Sequence, residues 1–228
     1  MIERLDAQPA LIDRVLDRLV AAIADGTLPP RERLTQETVA ARLGVSRQPV
    51  SHALQVLKRR GLVVESGKRG LEVAPLDARR LRDLYQVRAA LDGLAARLAA
   101  ERARAGFVTA AVHAQGSRLV AAGTRLVAKG SIGELIRADV DLHSLIHRMS
   151  GNSAIIETVA AEWPHFMRSM GVALADPAIR ARIWAEHATI LERIFAGKPA
   201  AAESAARQHT EGAGEDTARK LETLASVA

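Results

Sequence analysis

The 228-residue chain has no cysteine, which excludes disulfides and thiolate metal sites and fits a cytoplasmic protein. Aromatic residues make up only 3% of it, so any hydrophobic core must be built largely from aliphatic side chains. No apolar run approaches the length of a membrane span, and the N-terminus carries no signal-peptide core. The chain is therefore expected to be soluble and intracellular, with no membrane partner. Acidic residues are the minority charge, 26 against 32 Lys and Arg, and the net charge of +6 is compatible with an anionic partner. The length allows two small domains or one large one.

What is present starts with two short helical patterns flanking a Gly-Val-Ser turn, between Leu34 and Arg60. Thr35 can cap the first helix, Glu37 lies in its first turn where the helix dipole favours an anion, and Val39, Ala40 and Leu43 make its apolar side. Gly44 ends it. Ser46 can cap the second helix, Pro49 falls in the first turn where its missing N–H costs nothing, and Val50, Ala53, Leu54 and Leu57 form the stripe. This spacing predicts a helix-turn-helix. The opposite face of the second helix carries Arg47, Gln48, Ser51, His52 and Gln55, donors and acceptors able to reach base edges in a major groove. Downstream, the β-type runs Leu62-Val63-Val64 and Leu71-Glu72-Val73 flank a glycine-bounded basic turn holding Lys68 and Arg69, the pattern of a wing that meets phosphates. From Arg42 to Gly70 seven bases face a single acid, Glu65; the bland alternative is a solvated helical face.

The segments Gly26-Thr27-Leu28 and Arg33-Leu34-Thr35, then LGVSRQPVSHAL (43–54) and RRGLVVESGKRGLEVAPLD (59–77), resemble the winged-helix domain of the GntR family of bacterial transcription regulators. The resemblance covers about a third of the chain. The family usually has Arg-Glu after the Pro-Val pair, where this chain has Ser51-His52, so Arg47 must carry more of the readout.

Ala10 to Asp25 has apolar residues at helical spacing and should buttress the helix-turn-helix; Leu28-Pro29-Pro30 is a rigid connector. Ala74-Pro75-Leu76-Asp77 breaks regular structure, so the domain boundary is placed there, giving residues 1–76 and 77–228, with Asp77 capping the first helix of the second domain. Beyond it only helical periodicity is found. Six helices are expected, Ala78–Arg104, Val108–Lys129, Ile132–Ser150, Ala154–Met170, Pro177–Phe195 and Ala200–Ala225. The fold class is thus mainly α, a winged helix-turn-helix followed by an all-helical bundle.

Within the bundle, Asp139 and His143 are four apart and share a helix face, as a common metal site requires, while His187 and His209 lie on later helices. Three imidazoles and a carboxylate are borderline ligands suited to Zn²⁺ or Ni²⁺. Spacing alone leaves open that each histidine is an ordinary surface or core residue. The pattern Asp139-Val-Asp-Leu-His143, then Glu186-His187-Ala-Thr-Ile190, then Arg207-Gln-His209, is similar to the helical ligand-binding domain, FCD, of the FadR-type branch of the same family. Members of its metal-binding group use one Asp and three His. That resemblance implies Asp139, His143, His187 and His209 as ligands; by spacing His147, one turn beyond His143, could substitute, but the family pattern prefers Asp139, and His113 and His165 match nothing and are expected on the surface. It also implies that Arg88, in Tyr85-Gln-Val-Arg88-Ala-Ala-Leu91, faces the pocket, where a guanidinium can grip a carboxylate, against the alternative of a surface ion pair. Asn152 either hydrogen-bonds the ligand or caps the following helix. Because ligating imidazoles must be neutral, metal affinity should weaken as pH falls through the histidine range of roughly 6 to 7.

The leading functional expectation is a homodimeric DNA-binding transcription regulator, acting as a repressor, binding double-stranded operator DNA and controlled by a small carboxylate effector. The alternatives are a metal-dependent hydrolase or lyase with an accessory DNA-binding domain, and a DNA-compacting protein. Against the hydrolase or lyase, no general base is assignable beyond Glu186, and no nucleophile elbow or phosphate loop is present.

Overall fold

The computed structural model describes residues 10–67 and 70–227, and the chain divides into two compact units between Leu76 and Asp77. In the first unit, helices α1 (Ala10–Ala24), α2 (Gln36–Leu43) and α3 (Arg47–Arg59) stand with a small sheet of β1 (Arg33–Leu34), β2 (Val63–Ser66) and β3 (Gly70–Val73). The sheet is antiparallel in the order β1-β3-β2, with Val63 opposite Val73 and Arg33 opposite Glu72. Strand β1 is not expected from sequence, because two residues are too few to show alternation. It forms because the connector at Pro29-Pro30 delivers the chain alongside β3, where the Arg31 amide donates to the Val73 carbonyl and the Val73 amide to that of Glu32.

The helix-turn-helix forms for local reasons. Thr35 accepts from the Thr38 amide at 3.1 Å, and the Thr38 hydroxyl oxygen accepts in turn from the Thr35 amide, closing a capping box at the start of α2. Gly44 ends α2 at φ 64°, a left-handed turn that other residues enter only with strain. Ser46 occupies the N-cap position of α3 with extended backbone, yet its side chain makes no capping bond, contrary to the sequence expectation. Val15, Leu19 and Ile23 of α1 close the core over Val50, Leu54 and Leu57 of α3.

The second unit is a bundle of α4 (Ala78–Arg104), α5 (Ala110–Lys129), α6 (Ile132–Ser150), α7 (Ser153–Leu174), α8 (Pro177–Phe195) and α9 (Pro199–Val227). Asp77 caps α4 by accepting from the Arg80 amide, and Asp176 caps α8 ahead of Pro177, its first residue. Helix α5 begins at Ala110 because Thr109 caps it, not at Val108; α7 runs a turn past Met170, through Gly171, to Leu174. The core is aliphatic, with Ala96, Ala99, Leu135, Leu142, Ile190 and Ile194 among its buried members. Alanine on α4 permits close approach of its neighbours.

Helix α9 comes close to α4 at Gly214, where a Cβ would stand 2.5 Å from the Tyr85 Cβ. Gly214→Ala should therefore cost the bundle a net of about 1–2 kcal/mol, because overpacking outweighs the better helix propensity of alanine. Urea unfolding followed on the helical unit should show a lower midpoint, and an unchanged midpoint would mean that α4 and α9 separate freely.

Candidate metal centre and nucleic-acid interface

Asp139 and His143 project from one face of α6, His187 comes from the middle of α8 and His209 from α9, and all four are buried. One ligating atom from each lies within 4.8 Å of the other three. The His187 Nε2 stands 3.0 Å from the His209 Nε2 and 3.4 Å from Asp139 Oδ1, and the His143 Nε2 is 3.8 Å from Asp139 Oδ2. Among the described residues, Asp139 Oδ2, His143 Nε2 and His187 Nδ1 are buried with no hydrogen-bond partner. Such atoms each cost about 1–3 kcal/mol unless something else meets them. Imidazole and carboxylate atoms left open in a ring of borderline donors fit a first-row divalent ion.

The shifts of the two imidazoles suit ligation, and that of the carboxyl opposes it. Burial, then the Arg88 charge, pushes the His143 imidazole well below its ordinary value, and burial with His209 does the same to His187. Burial raises the Asp139 carboxyl to about 6, although Arg88 opposes the shift. The ordinary histidine range expected from sequence is therefore not where these two imidazoles titrate.

Arg88 is buried on α4, not a surface ion-pair residue. Its Nε donates to Asp92 Oδ2 at 3.2 Å, one terminal nitrogen lies 4.0 Å from Asp139 Oδ2, and its guanidinium packs 4.6 Å from the Trp163 ring centre and 4.8 Å from that of Phe166. Asp92 is a site residue that the sequence motifs do not mark. It accepts from Thr210 Oγ1 at 2.8 Å and contacts His147 Nε2 at 2.7 Å, and Asp92, His143 and His147 bring ligand atoms within 4.8 Å of one another as a second group able to hold an ion. Burial alone would raise the Asp92 carboxyl, but Arg88, His143 and His147 hold it well below the usual carboxylate range. Its spacing four residues from Arg88 was the available signal.

Beside the ring lies a cavity of about 20 Å³ whose lining includes Arg88, Asp139, His143, Tyr85 and Thr210, with Met170 and Leu174 on the apolar side. That holds little more than one water-sized group. Asn152 is not part of the lining: its Oδ1 accepts from the Ala154 amide and caps α7. His113 is exposed, as expected, and stacks on Phe195, whereas His165 is buried in α7, contrary to its expected surface position.

In the first unit, α3 buries Pro49, Val50, Ala53, Leu54 and Leu57 and exposes Arg47, Gln48, His52 and Gln55; Ser51 is half-buried and accepts from Gln36. Lys68 and Arg69 lie outside the described residues. The basic surface is more balanced than the sequence suggested, because Arg42 pairs with Glu32 and Arg47 with Glu37, both acids preceding the stretch from Arg42 to Gly70, while Lys58 takes Glu65. The Arg47–Glu37 pair is 2.9 Å long but its side chains are 66% and 76% exposed. A pair this exposed is worth roughly 0.2–1 kcal/mol, less than a bidentate guanine contact, so Glu37 orients Arg47 without sequestering it.

A winged helix-turn-helix followed by a helical bundle with a buried Asp and His cluster defines a class of two-unit bacterial regulators. The FCD domain matches residues 83–212, and the bacterial regulatory proteins of the gntR family match residues 11–73. The chain belongs to the GntR family, in the FadR-type branch that carries FCD. It is 31% identical over 130 residues to the Nta operon transcriptional regulator of Aminobacter aminovorans, covering 57% of this chain and 59% of that protein. It is 28% identical over 197 residues to the probable D-xylose utilization operon transcriptional repressor of Paenarthrobacter nicotinovorans, covering 86% and 84%. The chain thus spans about half the length of the first curated relatives it matches, 45% and 59%, and more of others. E. coli McbR/YncC shares the fold, with a TM-score of 0.77 at 18% identity over 98% of this chain and 100% of that one. The family and these relatives are transcriptional regulators, which removes the ground for the hydrolase or lyase alternative.

Arg47→Ala should weaken binding to a cognate operator by roughly 1–3 kcal/mol while leaving binding to random DNA nearly unchanged. Gel-shift competition measures this; undiminished operator preference would show that α3 is not the reading helix.

Proposed function

We propose that the chain is a transcription repressor whose first unit, residues 1–76, reads double-stranded operator DNA, and whose second, residues 77–228, senses a small carboxylate with the help of one divalent ion. The observation that carries this reading is the ring of Asp139, His143, His187 and His209, drawn from three helices with buried ligand atoms left unmatched. These four residues would hold the ion, and their mixed nitrogen and oxygen donors favour Zn²⁺ or Ni²⁺. When bound, it supplies a positive centre that a carboxylate can approach. Arg88 contributes the second contact: Asp92 and the faces of Trp163 and Phe166 fix its guanidinium beside the cavity, so little entropy is lost when it engages an anion. Lys68 and Arg69 are assigned to the phosphate backbone and Gln48, Ser51 and His52 to the groove; Asn152 acts through its cap.

The small cavity bears on the switch. With room for about one water, it admits an organic acid only if the lining side chains or the helices that carry them give way, and the proposed effector-bound bundle then differs from the closed one. Coupling of that difference to DNA affinity is limited to the effector's preference between the two shapes, on the order of 1–3 kcal/mol in comparable systems. A homodimer is proposed, because a single wing and recognition helix cover few base pairs and two-fold pairing matches a palindromic site. The repressor sense follows the D-xylose operon relative, and a cytoplasmic location follows from the DNA target; no helix among the described residues is long and apolar enough to cross a membrane.

Replacing His187 and His209 together by alanine should abolish metal uptake and effector-dependent release from DNA while leaving most of the effector-free DNA affinity. Release with wild-type sensitivity would sink the proposal, and loss of folding would make the ion structural. Sedimentation equilibrium should give twice the chain mass with and without operator; a monomer mass at every concentration would count against the dimer.

A further inference from the structure

We propose that Glu186 is a positioning residue for His209, setting its ring tautomer so that Nε2 is aimed at the ligand ring; the inference rests on reading that ring as a metal site. Glu186 precedes His187 on α8, and adjacent residues on a helix point about 100° apart, so the two cannot serve the same point. His187 enters the ring directly. Glu186 lies half-buried at its margin and reaches the imidazole offered by α9, where its Oε2 stands 2.8 Å from His209 Nδ1.

A carboxylate oxygen can only accept, so Nδ1 of His209 carries the hydrogen, and in the neutral form required for ligation Nε2 then carries the lone pair. The neighbouring contacts agree with this assignment. His209 Nε2 is 3.0 Å from His187 Nε2, a pairing in which His187 must be the donor. A neutral His187 protonated at Nε2 has a bare Nδ1, and that atom is one of the buried groups with no hydrogen-bond partner. In the ion-free protein a directed chain thus runs from His187 through His209 to Glu186, and for His187 Nε2 to ligate, its hydrogen would have to move to Nδ1.

Glu186 is itself held. Arg182, one turn earlier on α8, donates to its Oε1 at 2.7 Å and bonds Asp216 on α9 with its other terminal nitrogen. The brace therefore spans the same two helices that supply His187 and His209. Among the described residues His143 has no equivalent, since its Nδ1 is 3.4 Å from Asp92 Oδ2, beyond the usual hydrogen-bond range. Carboxylates that orient ligating histidines in this way typically account for a roughly 10–100-fold difference in metal affinity.

The test uses the full-length wild type, Glu186→Ala and Glu186→Gln. Competition titration with zinc alone should show a roughly 10–100-fold loss for the alanine variant and substantial recovery for glutamine, whose amide oxygen can still accept from Nδ1. Nitrogen-15 NMR of the metal-free proteins should find His209 protonated at Nδ1 in the wild type and shifted toward the Nε2–H form in Glu186→Ala. Zinc affinity within about twofold of wild type, or an unchanged His209 tautomer, would overturn the assignment, as would an affinity loss accompanied only by lower stability. A wild type that takes up no zinc would defeat the metal reading instead, and the tautomer comparison would still decide the role of Glu186.

Discussion

Three imidazoles and one carboxylate meet in the buried interior of the bundle with fewer hydrogens than lone pairs to satisfy them. Much of the bundle is arranged around that deficit. Helices α6, α8 and α9 must bring their ligand atoms within 4.8 Å, which requires the neighbouring contacts to be made by small residues. Gly214 against Tyr85 and Gly93 against the Glu203 carbonyl are the points where α9 comes down on α4. Leaving the three atoms open is costly, on the order of several kcal/mol by the usual cost of unpaired buried groups. Under the proposed reading a divalent ion offsets it, and ion binding is then partly folding energy.

The scarcity of aromatic residues takes on meaning in this setting. Tyr85, Trp163, Phe166 and Trp184, four of the chain's six, lie around Arg88 or on His187. Elsewhere the buried core is alanine, leucine, isoleucine and valine with Met149 and Met170. Aromatic faces accept a desolvated guanidinium better than aliphatic ones do, so their concentration here keeps Arg88 charged and buried beside Asp92. In the first unit the electrostatics run the other way. Arg47 and Glu37 meet at the surface, where water screens them, and the arginine stays available to a competing partner.

Local signals were legible in the sequence and distant ones were not. Thr35 with Gly44, Asp77, Asp176 with Pro177, and Gly151 after Ser150 are caps and stops whose chemistry acts within a few residues, and the helix bounds they imply fall within a few residues of those observed. Strand β1 depends on a partner 39 residues away, through the Arg33 to Glu72 register, and leaves no trace of its own. Asp139 and His143 could be placed on one face from spacing, but that His187 and His209 converge on them is a property of packing; only the resemblance to FCD supplies it without the structure. The same limit hid Asp92, an acid on an arginine-rich helix whose partners His147 and Thr210 are 55 and 118 residues away. It also put His165 on the surface, since nothing near it in sequence announces its burial.

The central claim is that the Asp139, His143, His187 and His209 ring is a resident metal centre. Elemental analysis and native mass spectrometry of the chain, purified without chelator or affinity tag, test it most directly. The expected result is one equivalent of a first-row divalent ion per chain, removable by chelator and restored by one equivalent of Zn²⁺ or Ni²⁺. Protein that is metal-free as isolated and takes up neither ion at micromolar concentration would contradict it.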